Sequence, residues 1–332
     1  MTMALKPTWT RGLMMAGKIA LSVGLLAFLF RRIPLDQLTT TLKTVRTEWL
    51  MAAWLLMLAS NLLGSYLWGR LLRVVEIRIP FWKVCAYYHI GLFFNNFLPA
   101  NIGGDIARVL DASRHGPTRA AAFSAVLMDR LVGTVALAGL ALVTTVPAID
   151  QFHLTLMYLA LAGFFGLSLG LVWAVFHPAL LPACERVLDS VGLGRLGPHL
   201  EELAARLAGY REQPLLLARM LALAAVTQLA RVGVHALVAR SLGLHVPIVY
   251  FFLFVPLLAV IVSLPISLNG IGVREVAGIL MFGLVGVDRT RAFSLQFMTY
   301  LVAVAVSLLG GLVFLARIPR RRAVARNLRR SG

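Results

Sequence analysis

The sequence predicts an all-α, polytopic membrane protein with about six full transmembrane helices and two re-entrant or broken helices, related as an inverted internal repeat. Composition is the first observation behind this prediction. The chain is 59% hydrophobic and only 14% charged, with a mean hydropathy of +0.83, whereas a soluble domain carries roughly 25% charged residues. The second is the length of its apolar runs, several of which reach the ~20 residues a helix needs to cross the hydrocarbon core. The third is a motif that occurs twice. Leu98-Pro99-Ala100-Asn101-Ile102-Gly103-Gly104-Asp105-Ile106-Ala107-Arg108 is echoed by Leu264-Pro265-Ile266-Ser267-Leu268-Asn269-Gly270-Ile271-Gly272-Val273-Arg274-Glu275. Pro99 and Pro265 lie 166 positions apart, half of the 332-residue chain. Paired Gly/Pro interruptions in corresponding halves point to a transport site between repeats.

The apolar runs place the elements in order. Residues 13–30 form the first run, with Lys6, Arg11 and Lys18 before or inside it and Arg31 and Arg32 after it. No small-residue cleavage site comes after it, so it reads as an uncleaved span and not as a signal peptide. Further runs cover 49–72, 120–146, 154–176, 215–242, 248–264 and 292–316. Residues 84–98 and 276–285 are too short to span comfortably. Short apolar segments beside Pro and Gly read as re-entrant, and their irregular backbone must face protein or a water-filled cavity. Repeat one therefore covers about residues 10–176 with its motif at 94–108, and repeat two about 214–316 with its motif at 264–275. Between them, 177–213 is polar. Leu196, Leu200, Leu203, Leu207 and Tyr210 recur there at helical spacing, which fits an amphipathic helix on the membrane surface or one packed on the spans.

The net charge of +18 does not point to nucleic acid. The basic residues sit at the ends of apolar runs, and seven lie between Arg317 and Arg330. Positive flanks orient spans and attract anionic headgroups. Both termini are basic, which places them in the cytoplasm of a bacterial-type inner membrane, with residues 317–332 as a basic tail. The loop at 31–48 carries four basic residues yet falls outside in this scheme. Cys85 and Cys184 are the only cysteines, and neither belongs to a metal-binding or redox spacing. No metal or cofactor is expected. HExxH and Walker loops are absent from the sequence, so an enzyme is not expected either.

Ionisable groups inside apolar runs cost roughly 2.5–3.5 kcal/mol each and mark functional sites by default. Four clusters qualify. Asn95, Asn96, Asn101, Asp105 and Arg108 surround the first motif, where Gly103 and Gly104 could let a phosphate approach a helix amino end. Asp129 and Arg130 are adjacent in one span and need separate partners. Ser267, Asn269, Arg274 and Glu275 belong to the second motif, and an arginine's planar fork suits phosphate. Gln228, Arg231 and His235 share one helix face and form a second tier.

With these residues in view, the chain resembles the lysylphosphatidylglycerol synthase transmembrane-region family, also called flippase-like domain proteins. The resemblance rests on Phe94-Asn95-Asn96-Phe97-Leu98-Pro99 through Gly103-Gly104-Asp105 and Arg108, on Asp129-Arg130, on residues 264–275 and on Gly310-Gly311, and runs from about residue 10 to 318. It implies a polytopic inner-membrane protein that moves lipids between leaflets. Full-length members add an aminoacyltransferase domain, and this chain is expected to lack one.

The expected function is a flippase or scramblase-like transporter of a phospholipid or a related anionic, aminoacyl or isoprenoid lipid. Arg108, Arg130 and Arg274 would engage its phosphate, and Asp105, Asp129 and Glu275 would hold those arginines or meet an amino headgroup. One rival is an accessory protein that binds lipid or partners a glycosyltransferase or other lipid-modifying enzyme. Another is an ion-coupled transporter of a small anion. Membrane lipids are the expected partners.

Overall fold

The computed structural model describes residues 45–97, 103–146, 155–177, 197–263 and 270–328, with Lys43 and four positions between 178 and 196. Among these residues it is helical throughout, with no strand. In chain order the helices are α1 (Thr47–Val74), α2 (Phe81–Phe97), α3 (Gly103–Ala112), α4 (Arg119–Thr145), α5 (Thr155–Phe176), α6 (Gly197–Arg211), α7 (Pro214–Ser241), α8 (Ile248–Ser263), α9 (Val273–Gly283) and α10 (Arg289–Leu328).

Five helices have the length and apolarity to cross a bilayer: α1, α4, α5 from Tyr158, α7, and α10 as far as Arg317. A 28-residue helix such as α1 or α7 is about 42 Å long at 1.5 Å per residue, more than the ~30 Å hydrocarbon core requires. The helix bounds match the apolar runs to within a few residues, except that α10 continues past its run to Leu328. The expected first span, residues 13–30, lies outside the described residues.

Each motif falls at a helix break. The first separates α2 from α3, and the second separates α8 from α9. Leu98–Ile102 and Leu264–Asn269 lie outside the described residues, and so do Asn101, Ser267 and Asn269. The backbone after the second break is left-handed at Gly270 (φ 74°) and Gly272 (φ 83°), a region closed to residues with a Cβ except at a cost. Glu275 then caps α9. Its Oε2 accepts from the Gly272 N–H at 2.7 Å, on the first turn of the helix, where a negative charge suits the helix dipole.

Helix α4 is the hub. It packs on α1, α3, α5, α6, α7 and α8, and half of its most apolar window is buried, against 11% for α5. Helix α5 accordingly has a lipid-facing character, with Leu159, Leu167, Leu171 and Trp173 exposed. Elsewhere glycine brings helices together, as is usual where lipid offers no hydrophobic drive between them. A Cβ at Gly104 of α3 would sit 2.0 Å from the Gly91 carbonyl of α2, and one at Gly310 of α10 would sit 1.9 Å from the His89 carbonyl of α2.

Helix α6 rests on α4 and α5. Its Tyr210 is fully buried, donates to the Leu71 carbonyl at 3.0 Å, and burial pushes its pKa up, so it stays neutral,.

Candidate functional site

The polar clusters divide into a lock, a clasp and a chamber. The lock joins α3 to α4. Arg108 is buried at 4% exposure. One amino group donates to Asp129 Oδ2 at 2.7 Å, and the other lies 3.6 Å from Asp105. Its guanidinium sits 4.4 Å from the Trp68 ring centroid and 4.8 Å from that of Tyr88. Arg130 closes the network by gripping Asp105 with two bonds, of 2.9 and 2.8 Å. Two arginines and two aspartates compensate one another. The separate partners that adjacent Asp129 and Arg130 require are Arg108 and Asp105.

Gly104 of the first glycine pair has a partner within the protein. The Gly104 N–H is not turned to a ligand; it donates to Asn95 Oδ1 at 2.9 Å, while the Gly104 backbone packs on Gly91. Asn95 thus caps α3 from α2. The glycine permits the close approach of the two helices.

The clasp joins α3 to α10. Asp111 Oδ2 accepts from Arg317 at 3.1 Å, and Arg114 approaches Asp111 to 3.7 Å. Arg317 lies 4.5 Å from the Tyr87 ring centroid, and the Tyr87 hydroxyl meets His115 Nε2 at 3.0 Å. Sequence reasoning missed this cluster, because Asp111 and Arg317 stand 206 positions apart and neither lies in a motif.

The chamber lies between α7, α8, α9 and α10, with α1, α2 and α4 contributing to its wall. It encloses about 310 Å³, the lower end of the roughly 300–1,000 Å³ range of small-ligand sites. Arg231, His235 and Gln228 reach it from α7, Arg274 from α9, and Asn96 from α2. The second-tier residues and Arg274 therefore share one site. Gln296, Thr299 and Tyr300 of α10 complete the polar lining; sequence reasoning passed over them. Their i, i+3, i+4 spacing on an apolar span was the available signal.

Local bonds orient this lining. Gln228 donates to the Gly133 carbonyl at 3.3 Å and accepts from Arg231 at 3.3 Å. The His235 Nδ1 lies 2.9 Å from the Arg231 carbonyl. Asn96 donates to Ser307 Oγ at 2.7 Å, and the Arg274 guanidinium lies 4.8 Å from the Tyr300 ring centroid. Apolar side chains such as Leu137, Val255 and Val262 make up the rest. Among the described residues no carboxylate lines the chamber. Glu275, next to Arg274 in the chain, accepts from the Gly272 N–H with one carboxylate oxygen. Two arginines in an apolar, acid-free enclosure suit an anion: Coulomb attraction strengthens there, and guanidinium forks match phosphate or carboxylate oxygens.

Residues 15–311 match the family model described as the lysylphosphatidylglycerol synthase TM region. The chain belongs to this family. It is therefore a multi-pass membrane protein of a family concerned with lipid metabolism or translocation, and the matched region is the membrane part of that family. No curated protein matches the chain.

Proposed function

We propose that this member of the lysylphosphatidylglycerol synthase TM family is a flippase or scramblase-like transporter that moves an anionic lipid between leaflets. The observation that carries the reading is the chamber with Arg231 and Arg274 in its wall and no carboxylate among the described residues that line it. A volume of about 310 Å³ takes a headgroup and not a whole lipid, so the acyl or isoprenoid tails stay in the membrane. Arg231 and Arg274 bind the phosphate, with His235 and Gln228 beside it.

The Arg108–Asp129 and Arg130–Asp105 pairs hold α3 against α4 and so position the helices around the chamber. This assigns Arg108 and Arg130 to positioning, in place of the phosphate contact expected from sequence. The two halves act as inverted repeats that rock about the chamber, with both basic termini in the cytoplasm. No ATPase motif occurs in the sequence, so movement is downhill or coupled to an ion gradient.

The test is leaflet exchange of tail-labelled lipids in proteoliposomes. Charge-assisted hydrogen bonds are worth about 1.5–3 kcal/mol each, and about 1.4 kcal/mol is a factor of ten. The combined Arg231→Gln, Arg274→Gln variant is expected to slow exchange of an anionic phospholipid by about tenfold or more. Unchanged exchange in a variant that melts like wild type would remove the chamber from the transport path.

A further inference from the structure

Among the described residues that line the chamber, Arg231, His235, Arg274 and Tyr300 are ionisable. Of these types only histidine ordinarily changes charge near neutral pH. The backbone fixes the tautomer of His235. Its Nδ1 lies 2.9 Å from the Arg231 carbonyl oxygen, which can only accept, so Nδ1 carries the hydrogen. The neutral ring therefore keeps a bare lone pair on Nε2. The residue is half-buried. Nε2 has no partner among the described residues, and it is not sealed away from the space around it.

A lone pair in that place is wrong for an anion. Phosphate oxygens are acceptors too, so a neutral Nε2 repels the ligand that Arg231 and Arg274 attract. Once protonated, the same atom donates a charge-assisted hydrogen bond, one of the strong kind. The rest of the wall sets when the proton arrives. Arg231 stands one turn away on the same face of α7, Arg274 enters from α9 and Tyr300 from α10. The parts of α1, α2, α4 and α8 that line the chamber supply no ionisable group. Two positive charges with no carboxylate between them oppose a third while the chamber is empty. A bound phosphate removes that opposition.

We propose that the chamber takes up its anion together with one proton on His235 Nε2, so that lipid movement is coupled to a proton gradient. This rests on the transport reading above and names its energy source. Anion and proton bind cooperatively, each raising the affinity for the other by the same factor. A lipid with a single negative charge then crosses with its proton as a neutral cargo. The proton leaves with the lipid at the other leaflet, and the empty chamber returns with a neutral ring.

The experiment uses proteoliposomes of phosphatidylcholine with a trace of tail-labelled phosphatidylglycerol, whose phosphodiester stays a monoanion near neutral pH. A pH gradient and a membrane potential are imposed separately, with protein-free vesicles as the blank. One proton per lipid is expected to give an excess of about tenfold per pH unit in the leaflet on the alkaline side, and a potential alone is expected to give none. His235→Gln is expected to reverse the pattern, so that a potential drives the lipid and a pH gradient does not. A folding defect cannot exchange one driving force for another.

Wild type that moves the lipid under a potential, or exchanges it with no response to the pH gradient, would overturn the proton coupling alone. Wild type that leaves exchange at the blank rate would overturn the transport reading itself. Proton uptake is then read apart from transport. Short-chain phosphatidylglycerol added to the detergent-solubilised protein in weak buffer is expected to draw about one proton per chain, and no uptake would overturn the co-binding. If His235→Gln moves no lipid, nitrogen NMR of the wild-type histidines decides the assignment. One imidazole is expected to turn to imidazolium when the short-chain lipid binds, and His235 loses its role if none does.

Discussion

Replacing Arg108 with methionine is expected to cost about 3–5 kcal/mol of stability, the range for breaking a buried ion pair from one side. Arg108 is the ion-pair partner of Asp129 among the described residues, and Asp129 has only 13% of its side chain exposed. Without Arg108 that carboxylate stays buried against α3 with its charge uncompensated, or takes up a proton. Methionine fills much of the same volume, so the loss reports charge and hydrogen bonding more than a cavity. The aromatic contacts with Trp68 and Tyr88 go as well, each worth about 0.5–2 kcal/mol.

Thermal unfolding in detergent, followed by circular dichroism, measures the effect. Adding Asp129→Asn to Arg108→Met is expected to recover a large part of it, because the orphaned charge is then gone, and the double-mutant cycle isolates the pair. If Arg108→Met melts with wild type, the four-residue network is not a lock, and the division of roles between it and the chamber fails.

Gly310→Ala is expected to destabilise the protein by about 3 kcal/mol, the upper end of the usual overpacking range. The added Cβ would meet the His89 carbonyl oxygen at 1.9 Å, its carbon at 2.2 Å and the Ile90 nitrogen at 2.7 Å. These are backbone atoms inside α2 and cannot rotate aside, so α10 must move away from α2. The Asn96–Ser307 bond of 2.7 Å spans the same interface and would open with it, which disturbs the chamber wall at Asn96. Lipid exchange should therefore fall together with the melting temperature.

Gly170→Ala on α5 is the control. Nothing lies within 4 Å of a Cβ at Gly170, and alanine is favoured over glycine in a helix by roughly 1 kcal/mol. That variant is expected to melt at or slightly above wild type. Equal loss in both variants would mean that the close approach of α2 and α10 does not govern the response.

Much of the fold was legible because each span carries its own signal. Apolar runs of membrane length must be helical, since the hydrocarbon core leaves backbone groups no other partner. The bounds of α1, α4, α5 and α7 follow from that alone. The breaks after Phe97 and Ser263 were legible from Pro and Gly, which end helices by local sterics. Family membership was legible for a similar reason, since the two motifs and Asp129-Arg130 are stretches of contiguous residues. The clasp and the chamber were not. Asp111 meets Arg317 across 206 positions, and the chamber draws polar residues from α2, α7, α9 and α10.

The sequence by itself determined that this chain lies in a membrane, where its helices run and break, and which arginines and carboxylates had to find partners there. Which arginine meets which carboxylate was decided only by tertiary structure. Asp105 and Arg108 share a helical turn, yet Asp105 makes its short bonds to Arg130, and Arg108 makes its own to Asp129. Asp129 and Arg130, adjacent in the chain, point to different partners because successive residues on a helix diverge by about 100°. Only the packing of α3 on α4 brings the four together. Packing likewise sets Arg231 and Arg274 in one chamber wall that no carboxylate among the described residues lines. Sequence counts the charges, but compensation is a matter of a few ångströms between helices, and those distances exist only once the helices have packed.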